Sequence, residues 1–188
     1  MVGMGSRPVS AMRPANTEMF EGAPPLDVML SEEAHRLLLD IHDATRGLSD
    51  PAMVMREIVT RVGLHFNVTR CAFGEVDLES NVIEITRGYT DGVPTVAGRY
   101  PFEVFGPLLV AELMVGRTVA VSDVSTDPLT ATPAAQEIYA QMQIASLVCV
   151  PLLRRQRLVA VLVVCDGRPR DWTRPKIWSN SSSLTRKA

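Results

Sequence analysis

Ile144-Ala145-Ser146-Leu147-Val148-Cys149-Val150-Pro151-Leu152-Leu153, then Arg154-Arg155-Gln156-Arg157, then Leu158-Val159-Ala160-Val161-Leu162-Val163-Val164-Cys165: the reading of this stretch decides the fold. Two runs nearly continuous in Val, Leu and Ala are expected of strands in the middle of a sheet covered on both faces. A strand with one wet face alternates polar with apolar, and these do not. The four residues 154–157 between them are strongly cationic and short enough for a hairpin.

Upstream, the pattern predicts a helix over residues 134–142, a loop over 123–133 and a strand over 117–122. A short helix is expected from Gly106-Pro107 through Val115, stopped by Gly116. Gly88, Gly92, Pro94 and Gly98 break the chain before a brief strand at 99–102. Residues 69–77 and 82–89 are strand-like runs separated by the polar turn Leu78-Glu79-Ser80-Asn81. Before them the period is helical. Ser31 reads as a cap ahead of Glu32 and Glu33, followed by a stripe of Leu37, Leu38, Ile41, Ala44, Thr45 and Leu48. Asp50-Pro51 opens a second helix with Val54, Ile58, Val62 and His65 or Phe66 on one face, His65 being read as a partly buried helix residue. Antiparallel hairpins flanking an inserted loop-and-helix segment make an α+β domain with one central sheet.

The ends differ from this middle. Residues 1–30 hold Gly3, Gly5, Pro8, Pro14, Gly22, Pro24 and Pro25 without apolar periodicity, and read as a flexible leader. Met4, Met12, Met19 and Met29 are alternative starts within it. After Asp171-Trp172-Thr173 comes a run of poor helix formers, Ser179-Asn180-Ser181-Ser182-Ser183, in a tail 174–188 that carries four cations and no acid.

Bulk properties exclude several classes. The chain has 188 residues, enough for one domain, with 46% hydrophobic and 21% charged residues. A net charge of −2 gives no field for nucleic acid or an anionic membrane. No apolar run approaches the length of a bilayer span or of a signal peptide, so a cytoplasmic location is expected. Cys71, Cys149 and Cys165 form no CxxC and lie in apolar runs, which favours core packing over a disulfide or a metal site.

Three segments together resemble the GAF domain, of the kind found in bacterial two-component sensor proteins. They are Thr69-Arg70-Cys71-Ala72-Phe73-Gly74-Glu75-Val76-Asp77, then Gly116-Arg117-Thr118-Val119-Ala120-Val121-Ser122-Asp123-Val124 running into Thr126-Asp127-Pro128, and the strand pair quoted first. The similarity covers residues 31–173. It implies an antiparallel sheet of five or six strands, with terminal helices on one face and pocket-forming loops and short helices on the other. By that analogy the pocket is walled by Phe73, Arg99, Tyr100, Phe102, Phe105, Leu109, Glu112, Ser122, Asp123, Tyr139, Met142, Ser146 and Val148. Arg99 and Tyr100, beside Phe102 and Phe105, suit an anionic group held against aromatic walls, or alternatively a solvated arginine beside a small satellite core. Ser122, Asp123 and Asp127 suit a metal or a phosphate, but beside Pro128 they suit a turn and a helix cap better.

The resemblance also discriminates among variants. The Cys-His pair and the Asp-Ile-Pro motif of bilin-binding relatives are missing, as is the Asn-Lys-Phe-Asp-Glu signature of cyclic-nucleotide binders. Free methionine sulfoxide reductases place cysteines in loops here equivalent to residues near 100–110 and 125–135, and neither loop holds one. The expectation is therefore a non-catalytic sensory or regulatory domain in signal transduction, with an unidentified small molecule as ligand and no cofactor or metal assigned. The alternative is a ligand-free interaction or dimerisation module. A GAF domain usually ends in a long amphipathic helix packed beside its first helix. The tail 174–188 departs from that, as a degenerate end or as a sensor-kinase fragment read out of frame. Without that helix the Leu37, Leu38 and Ile41 stripe is left partly bare, which predicts a homodimer through helices 1 and 2.

Overall fold

The computed structural model describes residues 32–85 and 88–172. The leader, the cap at Ser31 and the tail 174–188 lie outside them. Two helices, α1 (Glu32–Thr45) and α2 (Pro51–Phe66), precede β1 (Arg70–Asp77), β2 (Val82–Ile85), β3 (Tyr89–Thr90) and β4 (Gly98–Pro101). A 3-10 turn, Phe102–Phe105, leads into α3 (Pro107–Met114) and β5 (Val119–Val121). A second 3-10 turn, Pro128–Thr130, precedes α4 (Pro133–Gln141), and the hairpin β6 (Ser146–Arg154) and β7 (Arg157–Asp166) follows. The strands form one antiparallel sheet in the order β4-β2-β1-β7-β6-β5, with β3 paired to the start of β1.

The architecture is the expected α+β sheet with the terminal helices on one face and the short helices on the other, and β6 and β7 are interior strands. Three local expectations are corrected. The run 82–89 is not one strand: β2 ends at Ile85, and β3 turns away to pair with Arg70 and Cys71. The hairpin connection is two residues rather than four, because Arg154 and Arg157 are themselves paired in the ladder. Arg155 and Gln156 take positive φ values of 51° and 61°, the turn geometry that matches strand twist. The covering of β6 and β7 also stops short of that turn, leaving Val150, Leu152, Leu153 and Val159 exposed.

Alternation along the strands divides the interior into two cores. On one face Val59, Val62, Val68, Cys71 and Val164 are buried, with Ile41, Ile58, Phe73, Val148, Leu162 and Trp172 packed against them. This is the seat of α2, which starts where Asp50 accepts from the Ala52 N–H and Pro51 takes the first turn. α1 lies outside α2, tied by Arg61 to Asp40 at 2.8 Å. Leu37, Ile41, Ala44 and Leu48 are half-buried, but Leu38 of the expected stripe is exposed, as is Leu39. The larger core, on the opposite face, includes Ala72, Ile83, Leu109, Leu113, Tyr139, Leu147, Cys149 and Val161. No helix among the described residues is long and apolar enough to cross a membrane.

Candidate functional site

The larger core is not filled. Between the sheet and a roof of α3, α4 and the first 3-10 turn lies a partly closed cavity of about 50 Å³. Ala72, Gly74, Ile83, Ile85, Val161 and Val163 form much of its floor. Phe102, Phe105, Leu109, Leu113, Tyr139 and Met142 form the roof and sides. A single water needs roughly 10–15 Å³ by this measure, so the space admits a few non-hydrogen atoms.

The roof is held by hydrogen bonds rather than by packing alone. The Tyr139 hydroxyl donates to the Phe105 carbonyl at 2.8 Å, joining α4 to the 3-10 turn. The rings of Phe105 and Tyr139 stand 6.0 Å apart, and those of Tyr100 and Phe105 5.8 Å. The buried Thr130 hydroxyl donates to the Val124 carbonyl at 2.8 Å, and the Gln136 amide donates to the carbonyls of Val124 and Thr130. Thr132 caps α4 by accepting from the Ala135 N–H.

Of the thirteen residues assigned to the pocket by analogy, Phe102, Phe105, Leu109, Tyr139 and Met142 line this cavity. Tyr100 lines an open cleft beside it, with its hydroxyl donating to the Val96 carbonyl. The others stand elsewhere. Phe73 and Val148 point to the α2 side, because strand alternation gives the cavity their neighbours Ala72, Gly74, Leu147 and Cys149. Ser146 is buried at a strand end and donates to the Arg168 carbonyl. Arg99 is exposed on β4 and faces Glu84 at 3.6 Å, away from the aromatic walls it was expected to share. Glu112 pairs with Arg117 at the surface. Ser122 is exposed, and the Asp123 carboxylate is spent on the N–H and hydroxyl of Ser125, with Asp127 likewise bound to the Leu129 N–H. Their geometry is that of turns and caps. Among the described residues no three His, Cys, Asp or Glu side chains are grouped to hold a metal ion.

The cation that does meet the cavity is Arg70, a residue the sequence reading passed over. It is 1% exposed, lines both the cavity and the adjacent cleft, and among the described residues is the sole charged one lining either. Its Nη1 donates to the Met142 carbonyl at the end of α4, and its Nη2 to the Pro94 carbonyl in the β3–β4 loop. A charged residue between Thr69 and the apolar Cys71-Ala72-Phe73, at the head of a strand expected to be buried, is the signal that points to it.

Cys149 and Cys165 line the cavity, while Cys71 faces α2. Burial pushes the thiols of Cys71 and Cys165 up to about 12, and raises that of Cys149 as well. None is accessible, and the Arg70 charge near Cys165 does not offset the effect of burial there.

The GAF domain family matches residues 50–177 of the chain. No curated protein matches it in sequence. Among solved structures it is similar to the phycocyanobilin-bound GAF domain of a cyanobacterial phytochrome, with a TM-score of 0.60 and 15% identity, over 73% of this chain and 81% of that one. It is similar to the free methionine-R-sulfoxide reductase of Neisseria meningitidis in complex with its substrate, with a TM-score of 0.58 and 21% identity, over 76% of this chain and 81% of that one. It is also similar to the GAF domain of an Acinetobacter phosphoenolpyruvate-protein phosphotransferase, with a TM-score of 0.57 and 16% identity, over 75% and 80% of the two chains. At these identities the likeness is one of fold.

Proposed function

Because the chain belongs to the GAF domain family, we propose that it is a sensory or regulatory domain whose small-molecule ligand occupies the cavity between the sheet and the α3–α4 roof. The observation that carries this reading is the partly closed, almost wholly apolar space in a core otherwise closed by hydrogen-bonded turns. Packed cores leave few voids larger than a water molecule, and a ligand-binding domain is where one is expected. Native mass spectrometry of the purified chain, followed by a thermal-shift screen of small molecules, tests it. A co-purifying or stabilising compound supports the reading; an empty protein that no compound stabilises overturns it in favour of an interaction module.

The finer parts of the proposal rest on particular residues. A role in bacterial two-component signalling, in the cytoplasm, follows the segments around Arg70, Val119 and the β6–β7 hairpin. A non-catalytic role is supported by three buried thiols with raised pKa values. Self-association through α1 and α2 is supported by exposed Leu38, Leu39, Met53, Leu64 and Phe66 on those helices. Sedimentation equilibrium decides that last point: a monomer mass unchanged across concentrations removes the dimer.

A further inference from the structure

Arg70 is a buried cation whose surroundings are incomplete. Two neutral carbonyls satisfy its terminal nitrogens, and the one from Met142 belongs to the carboxyl end of α4, where a cation is favoured. Its Nε–H is buried and has no hydrogen-bond partner among the described residues. Burial lowers its affinity for the proton, with Cys165 and Tyr100 opposing weakly and no carboxylate contributing. Leaving a charge in such a place is costly unless a counter-charge is supplied. Among the described residues no carboxylate supplies one.

The position of Arg70 indicates where the counter-charge enters. Arg70, Val96 and Met142 are the residues that line both the inner cavity and the outer cleft, so they stand at the boundary between the two. The cleft is further lined by Pro94, Thr95, Tyr100, Ile138 and Gln141. The tyrosine hydroxyls at the site are engaged as donors, Tyr100 to Val96 and Tyr139 to Phe105, and the Gln141 amide is turned to Glu137. One unspent N–H on a fixed cation suits a single carboxylate. It does not suit a phosphate, whose oxygens call for several donors. Beyond the arginine the lining is almost wholly apolar.

Resting on the ligand-binding reading above, we propose that the ligand is a small aliphatic monocarboxylate, its carboxylate on the Nε–H of Arg70 and its short hydrocarbon tail in the cavity. About three to five tail carbons, those of butanoate to hexanoate, match the space, since each carbon beyond that needs the roof to lift. The tail is recognised by burial of its methylenes, and the head by its charge.

The test uses the full chain, labelled with ¹⁵N, and the sodium salts of the straight-chain acids from acetate to octanoate. The matched primary amides, sodium chloride and inorganic phosphate are run at equal ionic strength. Thermal shift reads affinity, and the Nε–Hε resonance of Arg70, assigned by its loss in Arg70→Lys, reads contact at the atom concerned. The expected result is binding that strengthens with chain length to a maximum near butanoate to hexanoate. The amides should bind about 10- to 100-fold more weakly, with the Arg70 resonance moving for the acids alone. Arg70→Met should erase the difference between acid and amide. The resonance readout needs only the wild-type fold, so it stands even where that variant does not fold. Acids and amides binding alike overturn the carboxylate while leaving a small-molecule sensor. Phosphate or chloride moving the resonance as far as hexanoate overturns the tail, as an adventitious ion only. An unmoved resonance with every acid overturns the inference outright. A co-purified ligand without a carboxylate does so too, and leaves the sensor reading intact.

Discussion

Gly106 joins the first 3-10 turn to α3, and its substitution by alanine gives the sharpest test of how the cavity roof is built. Its backbone sits at φ 115° and ψ 115°, outside the regions an L-residue occupies readily. A Cβ added there would lie 2.3 Å from the Leu129 carbonyl oxygen, which belongs to the second 3-10 turn. Two costs therefore add in Gly106→Ala. The backbone conformation contributes roughly 1–3 kcal/mol. The contact contributes about 1–3 kcal/mol more, by analogy with overpacking, because the atom that must yield is main chain rather than a side-chain tip. The sum, about 2–6 kcal/mol, is a large part of the roughly 5–15 kcal/mol that keeps a domain folded. Gly92 provides the control. It too has a positive φ, of 66°, but a Cβ there meets nothing within 4 Å. Gly92→Ala should cost about 1 kcal/mol, from the backbone alone. At roughly 2–4 °C per kcal/mol for a chain of this size, the melting temperature should fall by about 10 °C for Gly106→Ala and about 3 °C for Gly92→Ala. Differential scanning calorimetry of the two variants beside the wild type measures this. Equal falls in the two would refute the reasoning, since both the Leu129 contact and the more unusual backbone conformation set Gly106 apart from Gly92.

Three further outcomes follow from other parts of the molecule. Cys71, Cys149 and Cys165 should resist a thiol reagent in the native protein at pH 8, where burial keeps them protonated, and all three should label in denaturant; rapid native labelling of any of them contradicts the burial described. The double change Arg155→Asn and Gln156→Gly should raise stability by about 1 kcal/mol, measured by urea denaturation, because it relieves two left-handed residues in the hairpin turn. Hydrogen bonds from Ser80 and Ser125 hold the carboxyls of Asp77 and Asp123 below their ordinary value. Their contribution to stability is thus complete above about pH 4, the unfolded value, and is lost as pH falls through the lower folded values. In the double variant Asp77→Asn and Asp123→Asn, stability followed by circular dichroism should fall less between pH 5 and pH 2 than in the wild type.

The fold was legible in the sequence where strands are apolar on both faces, even though the far ends of β6 and β7 are exposed. Leu147 to Leu153 and Leu158 to Cys165 need no knowledge of their neighbours, since both faces are apolar over most of their length. The site was less legible, because facing depends on parity. Phe73, Ser146 and Val148 look as suited to a pocket as Ala72, Leu147 and Cys149, and the observed register alone tells them apart. Residues on the roof fared better: Leu109, Tyr139 and Met142 sit on or beside short helices whose apolar positions can face one way only. Arg99 and Arg70 exchanged expectations for a related reason. Composition marks a loop arginine among aromatics as a binder, but Arg99 lies on the outer face of β4, while β1 carries Arg70 inward.

Arg70 and Cys71 are consecutive, yet one fronts the cavity and the other fronts α2. A β-sheet is a single residue thick, and nothing cushions one side from the other. Cavity and helix therefore share one layer of backbone: the peptide that joins Arg70 to Cys71 carries a cavity-lining side chain on one side and, on the other, a side chain packed in the core where α2 sits. Across the sheet α2 is thus one residue's thickness from the cavity, and α1 lies beyond it.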